Sequence, residues 1–151
     1  ADRYIRNYFA RYAGVAALRE RVLKEVRKEG VVRTLFGRLR RIPEIGSPNA
    51  AVRALAERTA FNTVFQGTAA DIIKRAMIAL HEDLRQQPLT RMILQVHDEL
   101  VFEAPSGDLK VLQALVRERM EGAASLKVPL KVDFGYGPNW AACSRWPPGY
   151  K

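Results

Sequence analysis

Residues 92–105 read "MILQVHDELVFEAP". Two apolar arms flank an imidazole and two adjacent carboxylates, His97, Asp98 and Glu99. The Val, Ile, Leu and Phe of the arms favour β-strand. An ionised group inside such a run is costly to bury without a partner. A turn at His97–Asp98 removes the conflict, because it puts the charges at a hairpin tip and the arms in a small sheet. Strand side chains alternate between faces, so Asp98 and Glu99 diverge and do not act as equal ligands of one ion. One of them offers a hard oxygen to Mg2+. Two-metal phosphoryl transfer then needs at least one further carboxylate from a separate segment. Pattern alone leaves open a plain polar turn, with His97 as a hydrogen-bonded strand histidine.

The segments on either side complete an α+β reading. Downstream, residues 108–123 predict an amphipathic helix through Leu109, Leu112, Leu115, Val116 and Met120. "VPLKVDF" (128–134) alternates as a strand, and "GYGPNW" (135–140) closes the domain. Upstream, residues 50 to 86 have a helical pattern. A break is expected near Val64–Gly67, with a capping box at Thr68–Asp71 opening a fresh helix. "QQPLT" (86–90) ends it, and "PEIGSPN" (43–49) is a loop by its Pro, Gly, Ser and Asn content. "VVRTLFGRLRRI" (31–42) predicts a hairpin around Gly37. Residues 2–12 predict a helix interrupted at Gly14. Residues 15–29 resume it, with Leu18, Val22 and Val26 in register and Gly30 as the stop. Long helices with a small antiparallel sheet are the expected architecture.

Composition narrows the partners. The 151 residues are 48% hydrophobic and 27% charged, which are globular values. No apolar run approaches the roughly 18 residues of a membrane span, and no secretory signal is visible. One cysteine, Cys143, allows no internal disulfide, which fits a reducing cytosol, and it excludes a Cys-rich zinc site. No Walker-type phosphate loop is present. Thr34, Ser106 and the other hydroxyls lack an obvious base partner for nucleophilic catalysis. Lys and Arg number 25 against 16 acids, for a net charge of +9 and a pI near 10.1. That excess, with arginines clustered in residues 1–58, favours a polyanionic partner over a merely solubilising surface. The chain opens on Ala1 and Asp2 rather than Met, as a piece of a longer protein would.

Arg58, Asn62 and Gln66 recur at i, i+4 and i+8. On a helix they form one stripe about 12 Å long, at about 1.5 Å per residue. All three side chains donate hydrogen bonds. Every base pair presents acceptors at similar places in the minor groove, so a row of donors can check duplex geometry without reading sequence. Arg53, about one and a half turns upstream, is placed to reach a phosphate. Spacing alone also permits an ordinary solvated face.

The same stretches carry a family resemblance. "QVHDELVFE" resembles the third polymerase motif of the family A DNA polymerases, and "AERTAFNTVFQGTAADIIKRAMIAL" resembles the helix pair preceding it. "VVRTLFGRLRRIPEI" is similar to the hairpin after the fingers helix, and "VPLKVDFGYGPNW" to the end of the palm. The resemblance covers nearly the whole chain in order. It implies that Asp98 is one of two aspartates holding catalytic Mg2+, with Glu99 an auxiliary carboxylate and His97 near the primer terminus. It matches Arg58, Asn62 and Gln66 to residues touching the primer-template minor groove, and Arg53 to a template contact. Arg38 and Arg40 fall in a basic segment near DNA.

The family's Asp-Tyr-Ser motif, which carries the other metal aspartate, and its nucleotide-binding helix are not in these 151 residues. The resemblance therefore implies a fingers remnant at 1–48 and a palm portion at 49–151. Primer-template DNA, deoxynucleoside triphosphates and the missing amino-terminal part are the implied partners, and the location is the nucleoid in the cytoplasm. Two Mg2+ ions belong to the complete active site. The isolated chain is expected to be inactive. Three departures stand out. Val64 replaces a usual Pro, Arg41 stands where an aromatic is common, and "AACSRWPPGYK" (141–151) has no family counterpart. A duplex-binding module without catalysis, and an interaction domain for an acidic protein, are the competing classes.

Overall fold

The computed structural model describes residues 2–145. The fold is α+β, with helices and, among the described residues, three two-stranded antiparallel ribbons. Two units are resolved, Ala1–Ala69 and Ala70–Lys151, and each has its own core.

The first unit begins with α1 (Asp2–Arg11) and α2 (Ala13–Glu29). The expected interruption exists, but at Tyr12 (φ −115°, ψ 58°) and not at Gly14. Gly14 lies in the first turn of α2, where backbone N–H groups have no helical acceptor and a glycine weakens little. Gly30 ends α2 in the left-handed conformation (φ 70°) and donates its N–H to Val26 O at 2.8 Å. Only glycine takes that conformation without a Cβ penalty. A hairpin follows, β1 (Val31–Arg33) and β2 (Leu39–Arg41), with Val32 opposite Arg40. A short 3-10 turn at Pro43–Gly46 leads to Asn49, whose Oδ1 accepts from the N–H groups of Ala51 and Val52. That cap starts α3 (Ala50–Leu84). Val22, Leu23, Val26, Val32, Ile42, Ile45, Ala56 and Ala60 make the core.

The expected helix break at Val64–Gly67 is absent, and so is the helix pair. α3 is one helix of 35 residues. Valine at position 64 keeps the N–H that proline would lack, so the hydrogen-bond ladder continues. The Thr68 hydroxyl does not cap a new helix; it donates back to Val64 O, a bond a threonine can make inside a helix.

In the second unit the end of α3 packs with β3 (Arg91–Val96), β4 (Glu99–Glu103) and α4 (Leu109–Glu121). Leu80, Leu84, Leu112 and Val116 are the buried centre, with Met92, Leu100, Phe102 and Phe134 against it. Arg119 clamps Asp83 through Nε at 2.6 Å and Nη2 at 3.2 Å. The expected strand at "VPLKVDF" is not one. Its Val132 N–H bonds the Glu121 carboxylate at 3.1 Å instead of a neighbouring strand. The last ribbon is β5 (Gly135–Tyr136) with β6 (Ser144–Arg145). Of the tail at 141–151, residues past 145 lie outside the described part.

Candidate nucleic-acid interface and carboxylate turn

The first unit presents the donor stripe. Arg58, Asn62 and Gln66 are all exposed on α3. At 100° per residue they lie roughly opposite Ala56, Ala60 and Thr63, the buried side of the helix. None of the three side chains bonds another described residue, so their donors point to solvent. Arg53 is half-buried, and its Nη1 donates to Ser47 O at 2.8 Å. One of its N–H groups therefore braces the loop before α3, and the remainder of the guanidinium stays available.

The basic hairpin is tied to α3 by side chains. Arg38 Nη2 donates to Gly67 O at 2.9 Å, and Arg40 Nη1 donates to the Thr63 hydroxyl at 3.1 Å. Leu35 N donates to the Thr68 hydroxyl at 2.9 Å. Both arginines thus staple the hairpin to α3. Gly67 makes the approach possible, because a Cβ there would sit 2.6 Å from Thr34 Cγ2. Thr63, Gly67 and Thr68 were not singled out as a seat by sequence reading. The available signal was a glycine between two threonines in an otherwise strong helical run.

The second unit presents the carboxylate turn. β3 and β4 are joined by two residues, His97 and Asp98, as the sequence predicts. His97 has φ 53°, a left-handed backbone outside glycine. Such a conformation costs roughly 1–2 kcal/mol, although histidine tolerates it better than most. The Gln95 side-chain amide donates to His97 O at 2.6 Å and braces the tip. His97, Asp98 and Glu99 are all exposed. Leu100 and Phe102 face the core, so Glu99, at the head of β4, points to the other face of the ribbon. Asp98, one residue earlier, projects from the turn itself. The two carboxylates diverge, and each has its oxygens open to a cation. Among the described residues no group of three or more His, Cys, Asp or Glu is close enough to hold a metal ion. Asp98 fits the role of one hard-oxygen ligand in a set that needs others.

Against protein-family models, residues 1–142 match DNA polymerase family A. The chain belongs to that family. It is 50% identical to DNA polymerase I of Geobacillus stearothermophilus over 93% of its own length and 16% of that protein's. The Pseudomonas aeruginosa DNA polymerase I is 51% identical, over 93% of this chain and 15% of its own. Among solved structures, the POL domain of Pol1 from M. smegmatis, in complex with DNA primer-template and dNTP, superposes with a TM-score of 0.79 at 45% identity. That match covers 84% of this chain and 23% of the other. The chain thus spans about one sixth of the length of the curated relatives it matches.

Proposed function

We propose that this chain is a carboxy-terminal portion of a template-directed DNA polymerase, with a fingers remnant at 1–48 and palm at 49–151. The observation carrying this reading is that its motif side chains are exposed and uncommitted in a family A chain. Asp98 stands at a hairpin tip, and Arg58, Asn62 and Gln66 line the solvent side of α3. The reaction is attack of a primer 3′-hydroxyl on the α-phosphate of a deoxynucleoside triphosphate, forming the new P–O bond as pyrophosphate leaves. Asp98 would be one of the residues that hold metal, and Glu99 would support it as an auxiliary carboxylate. Two Mg2+ ions, when bound, offset the charge on the attacking and leaving oxygens. His97 lies near the primer end, and Arg53 contacts the template strand. Arg58, Asn62 and Gln66 donate to minor-groove acceptors and so test base-pair geometry. Arg38 and Arg40 contribute by fixing the hairpin on α3. The chain's contribution is positioning and electrostatics.

The partners are primer-template DNA, the nucleotide and the amino-terminal part of the enzyme. None of the described helices is long and apolar enough to cross a membrane. A nucleoid location in the cytoplasm follows from the DNA partner. The test replaces Asp98 with Ala in a polymerase that carries this chain as its carboxy-terminal part. Primer extension is lost while duplex affinity persists; normal extension by that variant sinks the assignment. The isolated chain does not extend a primer, because one metal aspartate is not enough.

A second reading, a non-catalytic duplex-binding module, is favoured by the exposed stripe and net charge alone. It requires only salt-dependent duplex affinity that weakens with loss of Arg58, whatever stands at Asp98.

A further inference from the structure

The β1–β2 hairpin has two faces with different fates. Val32 is buried at 4% exposure, and Arg40, opposite it, reaches Thr63 on α3. By strand alternation the other face carries Val31, Arg33, Leu39 and Arg41. Arg33 and Arg41 are both exposed there, and Leu39 between them is 53% exposed. Arg33 stands opposite Leu39, and Arg41 stands opposite Val31, so the two arginines are diagonal neighbours. Such pairs lie roughly 7–8 Å apart. Arg33 has one weak tie, Nη2 to Glu29 Oε2 at 3.9 Å, between side chains 58% and 45% exposed. An exposed pair of that kind contributes little. Arg41 bonds no other described side chain.

Resting on the DNA-binding reading above, we infer that the hairpin grips a duplex phosphate backbone through Arg33 and Arg41. Arg38 and Arg40 each commit a nitrogen to α3, which leaves Arg33 and Arg41 as the pair less tied to the protein. One strand of duplex presents a phosphate about every 3.4 Å along the axis. Two long guanidinium arms at the diagonal spacing therefore reach phosphates one or two nucleotides apart. Guanidinium groups suit this because their planar donors pair with two phosphate oxygens at once. The net charge of +9 fits a polyanion. The exposed Leu39 between the arginines suits the sugar edge of the backbone better than an acidic side chain.

The test is fluorescence anisotropy of a labelled duplex with the 151-residue chain across a salt series. The Arg33→Gln/Arg41→Gln variant flattens the slope of log affinity against log salt by about 1.8, at about 0.9 per phosphate contact. A Lys24→Gln/Lys28→Gln variant removes the same charge from exposed positions on α2 and leaves the slope unchanged. An unaltered slope for the arginine pair, an equal drop for the lysine pair, or a loss seen only with single-stranded probe overturns the inference. Arg58→Gln separates the two levels. If it weakens binding while the hairpin pair does not, the inference fails and the DNA reading stands. If neither weakens binding, the DNA reading fails as well. Thermal melts of each variant identify any that do not fold. In that event Arg33→Lys/Arg41→Lys takes its place, with affinity lost at retained charge as the expected result and unchanged affinity as the refuting one.

Discussion

The two longer hairpins of this chain solve opposite problems. In β1–β2 the polar groups of one face and the turn point inward, while Arg33 and Arg41 stay exposed on the other face. Arg38, Arg40 and the Leu35 N–H are bonded to Gly67, Thr63 and Thr68 of α3. Its tight turn uses Gly37 at φ 83°, which costs nothing in strain. In β3–β4 the polar groups turn outward. His97, Asp98 and Glu99 are exposed, and the left-handed position is occupied by histidine where glycine would be easier. One hairpin uses the polar groups at its turn to be held, and the other keeps those at its turn open and accepts backbone strain. Strain and unused donors or acceptors concentrate where chemistry is done.

The largest expected effect breaks the outward hairpin. Asp98→Asn keeps the shape of the turn and removes the charge. If several kcal/mol of charge stabilisation rest on the metal that this carboxylate helps to hold, extension falls by about 10³-fold or more. Single-turnover extension by the complete polymerase measures it. A fall of less than tenfold would mean that Asp98 is only a surface residue of a turn.

The next effect breaks the inward hairpin. Gly67→Ala places a methyl 2.6 Å from Thr34 Cγ2. Overpacking of that kind costs roughly 1–3 kcal/mol, against about 1 kcal/mol gained by removing a helical glycine. Gly67→Val adds further crowding and β-branching, so a net loss of about 2 kcal/mol is expected in urea unfolding. Thr34→Ser keeps the hydroxyl that accepts from Arg38 N and removes the clashing methyl. Combined with Gly67→Ala it restores the stability lost by Gly67→Ala alone. A double variant no better than the single one contradicts the close approach.

A third prediction concerns the tie between α3 and α4 in the second unit. The Arg119 pKa is raised above its usual value, first by its hydrogen bond to Asp83 and then by that carboxylate's charge. A raised base gives stability that is complete below its unfolded pKa and is lost only as pH rises through the folded one. The arginine end of this pair therefore stays charged through neutral and moderately alkaline solution. Arg119→Lys keeps the charge but cannot reproduce the two-point contact. The expected result is a small loss of stability, read as a lower urea midpoint, that is the same at pH 7 and pH 9. A loss that grows across that interval rules out this account.

The sequence was legible where local chemistry is decisive. Glycine at position 30 marks a helix end, and alternating apolar arms around His97–Asp98 mark a two-residue hairpin. The stripe at Arg58, Asn62 and Gln66 was readable because helical spacing alone fixes a shared face. It was illegible where a distant segment decides. The break expected at Val64–Gly67 rested on a glycine and a capping pattern, and both serve a hairpin some 30 residues earlier in the chain. "VPLKVDF" alternates like a strand, but alternation cannot supply a neighbouring strand, and Glu121 takes one of its N–H groups. The bonds of Arg38 and Arg40 to α3 could not be read, because nothing in a linear pattern shows which face of a hairpin meets a helix.

The smallest effect sharpens the contrast between the hairpins. His97→Gly removes the side chain and relaxes the left-handed position at φ 53°. Relief of part of the roughly 1–2 kcal/mol steric cost is offset by the larger entropy that glycine carries in the unfolded chain. The expected result is a stabilisation of about 0.5 kcal/mol or less, read as a small rise in the unfolding midpoint at unchanged m-value. On the proposed placement of this imidazole near the primer end, the same substitution in a polymerase that carries this chain slows extension. Gly37→His on the other hairpin should do the reverse. It forces a Cβ into φ 83° and destabilises by about 1 kcal/mol, with no polar group delivered to the carboxylate turn. If His97→Gly instead lowers stability by more than 1 kcal/mol, the histidine is a structural part of its turn, and the two hairpins differ less than their hydrogen bonds suggest.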